Sequence, residues 1–104
     1  TEAYKFLNEC DELIERIRVP RGKLRNMVRS GPQADPKLVE NTQKMDQIFS
    51  DIQAISYEFV RELDEKDMDA QNFSEVFDKY NSRIKEFGKT IPTIQRSIRE
   101  YGIY

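Results

Sequence analysis

At 104 residues the chain fits one domain, and a domain of this size buries roughly two thirds of the surface its unfolded form exposes. Charged residues make up 35% and hydrophobic ones 38%, a balance that suits an amphipathic helical protein and argues against disorder. The formal charge of −2, the absence of His and the single Cys exclude an internal disulfide, withhold the commonest general base and metal ligand, and tilt the compartment toward a reducing, intracellular one. No window approaches the roughly 18 consecutive apolar residues of a membrane span. The opening Thr1, in place of Met, is read as a domain excised from a longer protein or a matured product.

In chain order, Ala3, Phe6, Leu7, Cys10, Leu13, Ile14 and Ile17 recur at helical spacing, and the pattern resumes at Leu24, Met27 and Val28. Leu24 stands seven residues after Ile17, so the register survives Pro20 and Gly22. Two readings of residues 2–30 stand. One is a single helix kinked near residues 18–22, where Pro20 removes a donor and crowds the Arg16 carbonyl. The other is two helices meeting at Val19 and Pro20. Ser30, Gly31 and Pro32 close the segment.

Asp35 followed by Pro36 is a helix start, a capping carboxylate and then a residue whose fixed φ suits the first turn. The second stripe is Leu38, Met45, Ile48, Phe49, Ile52, Ile55, Phe59 and Leu63, with Asn41 and Thr42 as a polar gap. A polar connector from Asp64 to Gln71 follows, and Asn72 with Glu75 has the form of a capping box for the third helix.

The third helix carries the most regular pattern, Phe73, Phe77, Tyr80, Ile84, Phe87, Ile91, Ile94, Ile98 and Tyr101, alternating steps of four and three. Such a seam cannot stay in water, so the other helices must cover it. Pro92 interrupts this helix, and Gly88, four residues before it, is expected to relieve the crowding by its missing side chain. Gly102 and Ile103 form a left-handed helix end with its hydrophobic contact.

These elements predict an all-α fold: an up-down-up three-helix bundle over residues 1–104, with long helices at about 2–30, 36–64 and 72–101 and kinks near Pro20 and Pro92. The two prolines then lie at nearly the same height, which predicts a curved bundle. Antiparallel packing also separates charge. Residues 1–15 and 51–82 together carry −10, whereas residues 16–50 and 83–104 carry +8. Within the basic group Arg16, Arg18, Arg21, Lys23, Arg25 and Arg29 fall in fourteen residues with no acid between them.

Chemistry finds little footing. Cys10 lies on the apolar stripe with no His to activate it, so neither a catalytic residue nor a cofactor is expected. The run from Asp67 to Asp78 sets Asp67, Asp69, Gln71, Glu75 and Asp78 at calcium-loop positions. It has Asn72 where that loop needs Gly, polar Ser74 at its eighth position and a short Asp78 at its end, and the capping box explains the same residues more simply. The expected function is therefore a non-enzymatic helical interaction or scaffold module that binds a protein partner through helix surfaces, with Tyr4, Tyr57 and Tyr104 as exposed aromatic contacts outside the stripes. The alternative is an anionic-surface binder, on membrane head groups or nucleic acid, that uses the six-residue basic cluster. The oppositely charged ends also permit head-to-tail self-association.

Overall fold

The computed structural model describes residues 1–31, 35–65 and 69–104; the expectations placed on Pro32 and Asp67 lie outside them. Three α-helices follow in order, α1 (Glu2–Ser30), α2 (Pro36–Glu65) and α3 (Ala70–Ile98), and a 3-10 turn, Arg99–Tyr101, continues α3. There is no strand among the described residues.

Short-range chemistry sets the helix ends. The Thr1 hydroxyl accepts from the Tyr4 N–H at 3.4 Å. The Asp35 carboxylate accepts from the Lys37 N–H at 2.9 Å, and its carbonyl accepts from the Val39 N–H at 3.1 Å. Both oxygens satisfy donors that a helix start leaves without an intrahelical partner. At α3 the cap is Asp69, whose carboxylate accepts from the Asn72 N–H at 2.7 Å, in place of the Asn72 box expected from the sequence. A full negative charge at the positive end of a helix outcompetes a neutral amide, so α3 starts two residues earlier than the pattern suggested. At the far end Gly102 has φ +77° and donates to the Arg99 carbonyl at 2.9 Å, and Ile103 is buried, the left-handed ending expected from the sequence.

Residues 2–30 form one helix, not two. Helical structure continues through Pro20 and through Pro92, each of which lacks the N–H for the carbonyl four residues before it. Gly88 does not serve as a steric relief for Pro92, because a Cβ placed there meets nothing within 4 Å.

The three apolar faces close on one core. Phe6, Cys10, Leu13, Ile17 and Leu24 of α1, Leu38, Met45, Ile48, Ile52, Ile55 and Phe59 of α2, and Tyr80, Ile84, Ile91, Ile94 and Ile98 of α3 are all buried. Side chains of this kind contribute about 1.5–3 kcal/mol each when fully buried. Two members lie outside the apolar stripes of the sequence. Val76 is buried while Phe73 and Phe77 are only half covered, so the start of the α3 seam runs through the smaller residue and the two rings stack beside it, 5.9 Å apart. Pro20 is buried as well.

Antiparallel neighbours show in the contacts. Phe6 packs on Phe59 in a tilted pair with ring centroids 4.3 Å apart, and Arg21 meets Asp46 at 2.7 Å, so α1 and α2 run in opposite senses. Lys79 pairs with Glu62 at 3.1 Å and Lys37 with Glu100 at 2.8 Å, so α2 and α3 do too. Lys85 pairs with Glu9 at 2.8 Å across the parallel pair α1 and α3, the lightest of the three helix contacts. The polar gap of α2 lies inside the core. Thr42 is buried and donates to the Leu38 carbonyl at 2.8 Å, and Asn41 is buried and donates to the Ser97 hydroxyl at 3.0 Å. A buried amide that finds its partner at only one height favours one alignment of α2 on α3 over a slip by a turn.

Replacing Ile84 by Ala is expected to lower stability by about 2–5 kcal/mol, whereas Gly88→Ala, in open space on the same helix, is expected to raise it by about 0.5–1 kcal/mol. Urea unfolding followed by circular dichroism checks both, and a destabilised Gly88→Ala would return Gly88 to its expected role beside Pro92.

Candidate functional site

The six-residue basic cluster of α1 does not act as one unit. Arg21 is half-buried; its Nε–H donates to Asp46 Oδ1 at 2.7 Å and its guanidinium lies 4.2 Å from the centre of the Phe49 ring. It is a clamp between α1 and α2 that covers the otherwise open face of Phe49. Arg18 is exposed and pairs with Glu15 one turn back at 2.8 Å, an interaction that contributes little in water. Arg16, Lys23, Arg25 and Arg29 are exposed and make no ion pair among the described residues. Arg25 and Arg29 line a shallow groove with Val28, Thr42 and Asp46 on the α2 side.

Arg99 lines a cleft at the basic end with Pro20, Gln95, Ile98, Ile103 and Tyr104. Arg99 belongs to the basic end but not to the basic run of α1, so closeness along one helix does not point to it. The signal that finds it is the heptad: Arg99 stands two heptads after Lys85, whose partner Glu9 stands two heptads before Lys23.

Tyr4, Tyr57 and Tyr104 are exposed at 70%, 68% and 85%, as expected from their places outside the stripes. The structure brings two of them to one height. The Phe6–Phe59 ring contact sets the turn holding Tyr4 and Leu7 level with the turn holding Tyr57 and Val60. Leu7 belongs to the heptad row of Ile14 and Arg21, the row that meets α2, and Val60 is 41% exposed. Tyr104 lies at the opposite end of a molecule 55 Å long.

Cys10 has no accessible surface, and burial, followed by the nearby charges of Asp11 and Glu9, pushes its thiol up to about 12. A thiol held neutral and out of solvent is a packing residue. The calcium-loop positions that are described, from Gln71 to Asp78, are helical, and Asp69 is occupied as the α3 cap.

The basic end is tied shut by a small polar network. Asp35 Oδ2 accepts from the Tyr101 hydroxyl at 3.0 Å beside the Lys37–Glu100 pair. Burial first, then this bond and the charges of Asp35 and Glu100, push the Tyr101 hydroxyl from its ordinary 10.0 up to about 12. Folding therefore holds the phenolic proton more tightly than the unfolded chain does. The stabilisation is complete below pH 10 and fades as pH rises from about 10 through 12. Compared with the unaltered protein, Tyr101→Phe is expected to lose less stability over this window, as read from urea midpoints at stepped pH.

Arg21→Ala is expected to cost about 1–2 kcal/mol through loss of its partly buried charged hydrogen bond and of packing on Phe49, and Arg25→Ala to stay within about 0.5 kcal/mol of the unaltered protein. Equal effects of the two, measured by thermal unfolding, would remove the distinction between clamp and free cation. No family model matches this chain, and neither a curated protein nor a solved structure matches it.

Proposed function

We propose that the chain is a non-enzymatic helical module that binds a protein partner through its outer helix faces. The observation that carries this reading is the placing of Tyr4, Tyr57 and Val60 at one height on two neighbouring helices while the core beneath them is already closed by Phe6, Phe59 and the partly buried Leu7. Aromatic and aliphatic side chains left in water above a complete core contribute nothing to folding that a polar residue would not, and tyrosines of this kind are favoured anchors at protein interfaces. The absence of His and the inert Cys10 thiol agree with a role that needs no chemistry.

A second reading, an anionic-surface binder, is supported by Arg16, Lys23, Arg25 and Arg29, which keep their charge without a partnering acid among the described residues. An opposing −10 and +8 along a 55 Å axis is many times the screening length of about 8 Å at physiological salt, so each end is sensed separately by a ligand.

Cross-linked pull-down with the unaltered protein is expected to retain a discrete protein that a Tyr4→Ser/Tyr57→Ser/Val60→Ser variant of the same fold loses. Retention unaffected by the three changes would discard this face, and turnover of a substrate with no protein partner would discard the module reading altogether.

A further inference from the structure

We propose that the face between the parallel helices α1 and α3, at the basic end, docks on an anionic lipid bilayer. The inference rests on the second reading above and names its surface and its partner. It starts from register. Glu9 and Lys85 are paired across this groove at 2.8 Å, and because the helices are parallel, equal steps along each stay opposite one another. One heptad on, Arg16 comes opposite Pro92; a second heptad brings Lys23 opposite Arg99. The cleft that holds both Pro20 and Arg99 confirms that the alignment reaches this height.

The groove thus begins with a matched ion pair, passes Arg16 opposite Pro92 and ends with one cation, Lys23, facing another, Arg99. Arg16, Lys23 and Arg99 are exposed and make no ion pair among the described residues. Glu100 is turned to Lys37 on α2 and Glu86 to Lys89, and the acid that remains on this face, Glu12, stands one turn before Arg16, toward the acidic end. Like charges brought level with no acid between them raise the local potential and complement an anion-rich surface.

Two features select a bilayer. Arg16, Val19 and Lys23 lie at spacings of three and four on one helical face, and Val19, between two cations, is 56% exposed. Tyr104, at the rim of the cleft, is exposed too. An aliphatic side chain gains nothing against a phosphodiester backbone, whereas in a membrane interface it enters the acyl boundary while the flanking cations stay at the head groups, and a tyrosine suits that boundary. The cations are also spread along two helices of a long molecule, 21 by 17 Å in section, which matches an extended planar array of charge better than one small anion.

The test is vesicle flotation with phosphatidylcholine alone and with phosphatidylserine added, using the whole chain. Binding is expected only with phosphatidylserine and is expected to weaken as salt rises. A cation beside such a surface is worth about fivefold in affinity, so Arg16→Glu/Lys23→Glu/Arg99→Glu is expected to lower binding by at least about a hundredfold, and Arg18→Glu/Arg25→Glu/Arg29→Glu, on the other flank of α1, by much less. A Tyr104→Trp reporter is expected to shift its emission to the blue on these vesicles. Equal losses in the two triple variants, or binding without a blue shift, would overturn the face assigned here and leave the anionic-surface reading standing. Binding to duplex DNA tighter than to the vesicles would replace lipid by nucleic acid and overturn the choice of partner. Absence of binding to vesicles and DNA alike would overturn the inference together with the reading beneath it.

Discussion

Helices in a bundle share no backbone hydrogen bonds with one another, so their cohesion comes from the side chains they bury together. Here that burial runs unbroken from the ring cluster of Phe6, Phe59 and Tyr80 at one end, through Ile17, Ile52 and Ile84, to Ile91, Ile98 and Ile103 at the other. Every later property of the molecule follows from the alignment this core imposes. It sets Asn41 against Ser97, Arg21 against Asp46 and Glu9 against Lys85.

The polar contacts refine what burial dictates. The Asn41 amide is inside the core with the Ser97 hydroxyl on α3 as its side-chain partner, and desolvating it without that partner would cost more than the bond itself contributes. Its role is to penalise wrong alignments. The surface ion pairs between helices play a smaller part, because solvent screens them; Arg21 differs, since its bond to Asp46 is partly shielded and its plane covers an aromatic ring.

The same alignment divides the surface into two faces with different chemistry. Along the α1–α2 groove at the acidic end, Tyr4, Tyr57 and Val60 stand out from a closed core. Along the α1–α3 groove at the basic end, Glu9 and Lys85 are paired, and the cations that follow, Arg16, Lys23 and Arg99, make no ion pair among the described residues. A partner that covers the first face leaves the second free, so the two proposals concern separate surfaces and are not rivals for one.

The spacing of apolar residues, read alone, determined the three helices, the antiparallel order, the end at Gly102 and the exposure of Tyr4, Tyr57 and Tyr104, because a 3.6-residue period and the chemistry of caps act over a few residues at a time. It also determined that charge would collect at opposite ends, since that needs only the direction of each helix. What the tertiary structure alone decided was which neighbour each side chain meets. Asp69 and not Asn72 caps α3, Val76 displaces Phe73 and Phe77 from full burial, Arg21 leaves the basic cluster for Asp46 and Phe49, and Arg99 joins Pro20 in one cleft from a position far along the chain. Those outcomes depend on the relative height and rotation of whole helices, and these are set by the packing of the entire core, which no short stretch of sequence contains.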